Sequence, residues 1–428
     1  MSATARRQAP DWFRELGFDT AEPVRRASAS LVVFVGIVLL ALYLATGEYG
    51  NIYGTDPFTN AVHARALAED QDPILEELDG FVTPEFQRFQ HWLVDAPDGV
   101  TAQYPPGTAI WAAPFYALSD TSLRSATFTE QGVEDGADFA FDVPSTFAPA
   151  TFAAALSVAI SITVFGLTIS PLLSRRATVS SMVAAGLGTG AWSVAADKLW
   201  QHGPAMMCIS LGTYFASRNR FAASGFAFAA GVLVRPRSAV IAACIGIAIA
   251  IRRRSIKEIS LLGAVSMLGV VALAVHNSAV FDSYSLAGGY RLTGFNGETT
   301  NSPLVVAGRL AGSLVHERVG IAWSSPFVIV ALYAAVKTRR GTPDWALGAA
   351  IGGVLYLVIQ FRTNRLTGGT SFFSYRYPLE ALMAAGPLLA FSTWHWVQES
   401  PIGKKVLAAT IALSIGAHGV ASLLTTVQ

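Results

Sequence analysis

The sequence predicts an all-α polytopic membrane protein with about 11 transmembrane helices and a large first extracytoplasmic loop that carries juxtamembrane helices. Of the 428 residues, 52% are hydrophobic and only 14% are charged, whereas soluble domains carry about 25% charged residues. Apolar runs of close to 20 residues recur along the chain, which is the length that crosses a hydrocarbon core about 30 Å thick. The two cysteines both fall inside apolar runs, so a disulfide framework is excluded.

The first span is predicted over residues 27–46, where ASASLVVFVGIVLLALYLAT follows Arg25 and Arg26. This run is long and no clear cleavage site follows it, so we expect a retained helix and not a signal peptide. Residues 1–26 then form a cytoplasmic segment, and residues 27–428 form the transmembrane domain, which includes an extracytoplasmic loop over 47–143. The remaining spans are predicted at 147–173, 177–195, 202–217, 221–235, 238–251, 258–280, 320–336, 345–361, 378–397 and 405–425.

The distribution of charge predicts which loops face the cytoplasm. Clusters of arginine and lysine, such as those at 175–176, 252–257 and 404–405, fall on alternate loops and therefore on one side. By the positive-inside rule that side is the cytoplasm. The loop over 47–143 contains seventeen acidic residues and three basic ones, and it falls on the other side. We therefore predict a plasma-membrane protein with a cytoplasmic N-terminus and an extracytoplasmic C-terminus.

An aspartate, Asp56, follows the first span in the stretch NIYGTDPFTNAVHARAL. An Asp before Pro57 at a predicted helix start is typical of an N-cap. A carboxylate at the membrane surface can also accept a proton from an attacking hydroxyl, as a general base does. The pattern by itself leaves both interpretations open.

Several arginines fall on the predicted outer face, against the general charge rule for that side. The guanidinium fork matches phosphate oxygens, so these residues favour a site for a phosphate or a pyrophosphate. The alternative is that some of them reach lipid headgroups or pair with the acidic loop. The arginines on this face are Arg235, Arg237, Arg291, Arg309, Arg318, Arg362, Arg365 and Arg376. The choice of Arg235, Arg237, Arg291 and Arg376, with His202, as the candidates for phosphate binding rests on the resemblance given below.

Other motifs that carry chemistry are missing from the sequence. It has no P-loop, no G-x-S-x-G elbow, no H-E-x-x-H and no C-x-x-C pair, and its seven histidines are scattered. Asp70 and Asp72 imitate a metal-binding D-x-D pair, but they lie on the outer side and are more typical of a solvated helix end. A divalent metal is therefore possible but not indicated, and nothing points to nucleic acid.

Six motifs that follow Asp56 in order carry a resemblance: QYPPGTAIWAAPFYAL, LWQHGPAMMCISLGTYFASRNR, AAGVLVRPRSAVIAA, HNSAVFDSYSLAGGYR, ERVGIAWSSPFVIVAL and TGGTSFFSYRYPLEAL. With the predicted topology, they resemble the C-type (GT-C) integral membrane glycosyltransferases, particularly members related to protein O-mannosyltransferases and aminoarabinose transferases. The resemblance covers residues 30–400. Each motif alone is weakly specific, but their order and the topology together are fairly specific.

The resemblance implies transfer of a sugar from a polyprenyl-phosphate donor to an acceptor hydroxyl on the extracytoplasmic face, by inversion and without a nucleotide or certain cofactor. It assigns Asp56 as the general base and a juxtamembrane helix after the proline corner, with Tyr104, Pro105, Pro106 and Gly107 lining the cavity. The implied partners are the lipid-linked sugar, a glycan, lipid or protein acceptor, and membrane lipids. Pro57 stands where many relatives carry a second acid, which leaves open how the acceptor or a metal is held.

A transporter or a lipid-linked sugar flippase is the alternative function. Its binding site would lie at the helix break over 235–237, as in carriers with broken helices. The single large acidic loop and the lack of inverted repeats favour the enzyme.

Overall fold

The computed structural model of the protein describes residues 25–49, 55–69, 71–75, 92–119, 147–292, 299–338, 341–367 and 372–425. Most of the predicted cytoplasmic segment and Asp70 of the D-x-D pair lie outside these residues.

The described chain is mostly helical. The helices of the first half are α1 (Ala29–Ala45), α2 (Thr55–Glu69), α3 (Gly107–Ala117), α4 (Ala148–Ile169), α5 (Arg175–Leu187), α6 (His202–Ser217), α7 (Phe221–Val234) and α8 (Ser238–Arg253). Those of the second half are α9 (Lys257–Phe281), α10 (Pro303–Val315), α11 (Ile321–Ser324), α12 (Pro326–Thr338), α13 (Asp344–Thr363), α14 (Leu379–Glu399) and α15 (Pro401–Thr425).

Within the described residues, four helices are long and apolar enough to cross a membrane, namely α4, α9, α13 and α15. Four shorter apolar helices accompany them: α1, α7, α10 and α12. The chain is therefore a multi-pass membrane protein. The number of spans, about 11, stays a prediction.

The span predicted over 177–195 is wrong as one continuous helix. Helix α5 ends at Leu187, and a single π-helical turn covers Ala191–Ala195. A side chain at Gly190 would place its Cβ 2.7 Å from the Tyr375 carbonyl oxygen. The close approach of that loop explains why a glycine stands at the break, and π-helical turns often occur at functional sites.

The second half of the bundle holds two further departures from prediction. Helix α10 forms in the segment between the predicted spans 258–280 and 320–336, where we expected no helix. The span predicted over 320–336 is divided into the short α11 and the longer α12. Pro326 explains the division, since proline has no N–H for the helix ladder and restricts the residue before it to extended geometry.

The prediction of a purely helical protein is also incomplete, because the loop predicted over 47–143 contains a β-hairpin. Strand β1 (Leu93–Ala96) pairs antiparallel with β2 (Gly99–Ala102). Gly99 has a φ of 135°, a backbone conformation that glycine adopts without strain. The Asp98-Gly99 pair is a hairpin signal inside a segment whose apolar pattern is weak.

Two buried cores hold the fold together. The larger lies inside the bundle and joins α1, α4, α6, α8, α13 and α14. The smaller packs α2, the hairpin and α3 onto the start of α4, and Phe58 contacts Trp92 and Phe147 edge-on with ring centroids 5.6 and 6.0 Å apart. This second core fixes α2 and α3 on the bundle, and both of these helices carry residues of the candidate site.

Candidate active site

The carboxylate of Asp56 lies in the first turn of α2 and has two strong hydrogen-bond donors. The Tyr104 hydroxyl donates to Oδ1 at 2.6 Å, and Arg376 Nη1 donates to Oδ2 at 2.8 Å. The Asp56 side chain nevertheless remains 29% exposed. A held carboxylate with an open side can still be approached by a ligand.

The main chain around Asp56 is tied to the loop that precedes α6. Asn60 Nδ2 donates to the Asp56 carbonyl oxygen at 3.0 Å and to the Leu199 carbonyl oxygen at 3.1 Å. Asn60 is 1% exposed, so this bridge is shielded from water. It sets the position of the first turn of α2 relative to the bundle.

The surroundings of Asp56 keep it ionised. Burial by itself would raise the pKa of Asp56, but Arg376, the Tyr104 hydrogen bond and nearby Arg235 outweigh it and hold the pKa below its usual range. For Tyr104, burial and the Asp56 charge raise the pKa well above its usual value. Tyr104 therefore stays protonated and acts as a donor.

The guanidinium of Arg376 is enclosed by aromatic rings. Its central carbon lies 4.6 Å from the ring centroid of Trp200, 5.1 Å from that of Tyr377 and 5.2 Å from that of Phe372. Desolvated cation–π contacts of this kind stabilise by about 2 kcal/mol. They restrict Arg376 to the orientation in which it contacts Asp56.

Arg235 and His202 share a buried carboxylate partner, Glu380, which the sequence pattern did not predict. Arg235 Nη1 donates to Glu380 Oε1 at 3.0 Å and to the Tyr356 hydroxyl at 3.2 Å, and His202 Nδ1 donates to the same Glu380 oxygen at 2.8 Å. Glu380 is fully buried. An acid in the first turn of an apolar span needs a partner, and this was the signal in the sequence that could have identified it.

The structure distributes the five predicted phosphate-binding residues over four places. Arg376 contacts Asp56 directly, and Arg235 and His202 meet on Glu380. Arg237 donates to Gln360 and to Thr363 Oγ1, the latter at 2.7 Å. Arg291 is exposed on a 3₁₀ turn (Gly288–Arg291) and donates to Ser283.

The proline corner places α3 directly against the end of α7. Pro105 and Pro106 are buried, and a Cβ on Gly107 would lie 2.5 Å from the Leu233 carbonyl carbon and 2.6 Å from the Val234 nitrogen. Only a glycine permits this approach, which ends one residue before Arg235. We predicted Tyr104 as a cavity-lining residue, and its hydrogen bond to Asp56 was not foreseen.

A half-open apolar cavity of about 90 Å³ lies within the bundle beside this site. It follows α14 from Leu379 to Trp394 and is lined on its other sides by residues that include Met206, Phe327 and Leu407. Leu379 directly precedes Glu380 in the chain, so one end of the cavity meets the buried ion pair.

The described residues contain no group of three or more His, Cys, Asp or Glu side chains placed to hold a metal ion. Asp72 of the D-x-D pair accepts a hydrogen bond from the Ile74 N–H at 2.8 Å.

In its fold, a helical membrane bundle, the chain is similar to solved membrane glycosyltransferases of the GT-C class. The structure is similar to that of the aminoarabinose transferase ArnT from Cupriavidus metallidurans, solved bound to undecaprenyl phosphate. The TM-score is 0.51 at 14% identity, over 94% of this chain and 77% of ArnT. The apo form of ArnT gives the same TM-score over 93% of this chain and 76% of ArnT.

The archaeal oligosaccharyltransferase AglB from Archaeoglobus fulgidus, solved with an inhibitory peptide and a dolichol-phosphate, is more distant. Its TM-score is 0.46 at 11% identity, and the match covers 92% of this chain and 55% of AglB. No protein-family model matches the sequence, and no curated protein matches it at a significant level. The likeness to ArnT confirms the fold that the motifs predicted.

Proposed function

We propose that the protein is a membrane glycosyltransferase that moves a sugar from a polyprenyl-phosphate donor to an acceptor hydroxyl on the extracytoplasmic face, by inversion. The observation that carries the proposal is the Asp56 carboxylate, which is ionised, partly exposed and held between Tyr104 and Arg376. The GT-C fold supports it, since ArnT, the fold's match here, was solved with undecaprenyl phosphate.

Asp56 serves as the general base in this reaction. The acceptor oxygen attacks the anomeric carbon, the bond between that carbon and the phosphate oxygen breaks, and its electron pair leaves with the phosphate. The proton of the acceptor hydroxyl passes to Asp56. Because the leaving phosphate is a stable anion, the reaction proceeds without a general acid.

Cations near the phosphate would stabilise the negative charge that develops on it as it leaves. Arg235 and Arg376 are each paired with a carboxylate, whereas Arg237 and Arg291 donate to neutral groups. Arg237 and Arg291 therefore offer positive charge that their contacts do not cancel, and in this proposal they bind the donor phosphate. Electrostatic stabilisation in a site with little water is usually the largest catalytic contribution.

The apolar cavity along α14 suits the isoprenoid chain of the donor. From Leu379 to Trp394 the helix rises about 22 Å, which exceeds half of a hydrocarbon core about 30 Å thick. A chain that starts at the outer headgroups must therefore be long to fill it. A polyprenyl chain meets this requirement.

The test is turnover by purified protein in detergent, without an ion gradient, with synthetic polyprenyl-phosphate sugars and a membrane extract as the acceptor source. We expect Asp56→Asn to reduce the release of polyprenyl phosphate by about 10²–10⁴-fold, because it removes the base. Asp344→Asn is the matched control, since Asp344 pairs with Arg253 at the other end of the bundle. Normal turnover by D56N would remove Asp56 from the reaction, and transport that needs a gradient would favour the carrier.

A further inference from the structure

Glu380 carries a charge that the proposed reaction does not use. It lies in the first turn of α14 with no exposed surface, and it shares a single oxygen between Arg235 and His202. A carboxylate at this depth costs several kcal/mol unless a partner compensates it. A neutral side chain could accept the same hydrogen bond from His202 without that cost.

The hydrogen bonding of this pair is incomplete. Within the described part of the chain, Glu380 Oε2 and His202 Nε2 are both buried without a hydrogen-bond partner. Nearly all buried polar atoms in native proteins have one, and a buried ion pair is weak evidence for stability. We therefore attribute the presence of this pair to the electrostatic effect of the Glu380 charge and not to a contribution to folding stability.

Arg235 connects this charge to the reacting groups. It is close enough to Asp56 to influence that carboxyl, and it follows directly after the Leu233–Val234 segment that packs on Gly107. Glu380 cancels the charge of Arg235 as felt by any anion that enters from the Asp56 side. The groups that face Glu380 are Arg235 after α7, His202 on α6 and, through Arg235, Tyr356 on α13.

The charges of the two lipid phosphates differ. A donor in which phosphate links a sugar to a prenyl chain is a phosphodiester with one negative charge. The product is a phosphomonoester, which carries between 1.5 and 2 negative charges at pH 7, since its second pKa is about 6. A ring of arginines without a counter-charge would therefore hold the product more tightly than the donor and slow turnover.

We propose that Glu380 is an internal counter-anion that weakens binding of the phosphomonoester product more than binding of the phosphodiester donor, so that the site does not retain its product. This inference rests on the proposed function. In this proposal Glu380 does not contact the phosphate. It acts by offsetting the charge of Arg235, so it is a positioning residue and not a catalytic one. Coulomb energy scales with the ligand's charge, so removal of the Glu380 charge strengthens binding of a dianion about twice as much, in free energy, as binding of a monoanion.

The experiment measures the Kd of farnesyl phosphate and of a farnesyl phosphodiester for the detergent-purified full chain at pH 8. We expect Glu380→Gln to tighten the monoester about tenfold and the diester about threefold, whereas Glu380→Asp, which keeps the charge, leaves both near the wild-type values. Asp344→Asn removes the acidic partner of Arg253, far from the site, and should change neither Kd. A distorted site would bind both ligands more weakly, so a selective gain cannot come from misfolding.

Equal changes for the two ligands in E380Q, or weaker binding of both, would overturn the proposal. If E380Q does not fold, the wild type still decides: the proposal requires a monoester Kd that is no smaller than that of the diester. A wild type that prefers the monoester about tenfold contradicts it. If the wild type binds neither prenyl ligand, the donor class in the proposed function fails, and this inference fails with it.

Discussion

At the scale of single residues, the candidate site depends on how one carboxylate is held. Asp56 receives hydrogen bonds from Tyr104 and Arg376, and a charge-assisted bond of this kind stabilises by about 1.5–3 kcal/mol. These contacts favour the ionised form. In the proposed reaction, Asp56 is therefore already deprotonated at neutral pH and needs no further activation before the acceptor arrives.

The pH dependence of turnover follows from the low pKa of Asp56. The active form is the ionised one, so activity is present at neutral pH and is lost as the pH falls through the pKa of Asp56, which lies below the usual value of about 4. Tyr104→Phe removes a donor to the ionised form, so we expect the acidic limb of the pH profile of kcat/KM to move to higher pH. Tyr284→Phe is the control, since Tyr284 is 75% exposed. An acidic limb that does not move in Y104F would contradict the assignment of Asp56 as the titrating base.

At the scale of elements, the site is assembled by close contacts between segments of the first outer loop and the bundle. The start of α3 packs on the end of α7 through Gly107, and the 3₁₀ turn packs on Gln103 through Gly289, where a Cβ would lie 2.7 Å from the Gln103 Cα. Tyr104 lies between these two contacts, and its ring centroid is 6.0 Å from that of Tyr290. Two glycine contacts thus fix the residue that donates to Asp56.

The contact at Gly107 can be tested with a pair of glycine variants. We expect Gly107→Ala to lower the unfolding free energy by about 1–3 kcal/mol, because its Cβ would overlap the main chain of α7. Gly308→Ala in α10 has no heavy atom within 4 Å of its added Cβ, so we expect it to be neutral or to stabilise by up to about 1 kcal/mol. Thermal unfolding in detergent compares the two. A G107A protein as stable as G308A would show that α3 does not pack on α7 this closely.

At the scale of the whole molecule, different groups of charged residues lie at the two ends of the helical bundle. Arg252 and Arg253 end α8, and Arg253 pairs with Asp344 at 3.1 Å. Asp56, which belongs to the segment 47–143, and its partner Arg376 lie at the other end of the bundle. The positive-inside rule assigns the first end to the cytoplasm, and we therefore predict that the site lies outside the cell.

This orientation is open to a labelling test. A membrane-impermeant maleimide should label Ser302→Cys in intact cells, because Ser302 precedes α10 on the predicted outer side and is exposed. Lys257→Cys, also exposed, should react only after lysis. The unmutated chain, with Cys208 and Cys244, gives the background. Labelling of the Lys257 position in intact cells would reverse the topology and place Asp56 in the cytoplasm.

The motifs predicted some parts of the site and not others. They pointed to Asp56, Arg235 and Arg376, because an acid or an arginine beside an apolar span is costly and therefore visible in the sequence. The family resemblance added Tyr104, and the roles of all four residues stay predictions. The interruption after Leu187 and the helix over 303–315 went unpredicted, since neither changes the apolar composition of its segment.

The sequence by itself determined that the chain crosses a membrane several times and that it has the GT-C fold, because hydrocarbon imposes a length and a composition on every span. Only the tertiary structure decided which polar groups meet. Asp56 and Arg376 are 320 residues apart in the chain, and Glu380 neutralises Arg235 and not its neighbour Arg237. Such pairings depend on helix rotation and on contacts a few ångströms long, about which the apolar pattern of a single span carries no information.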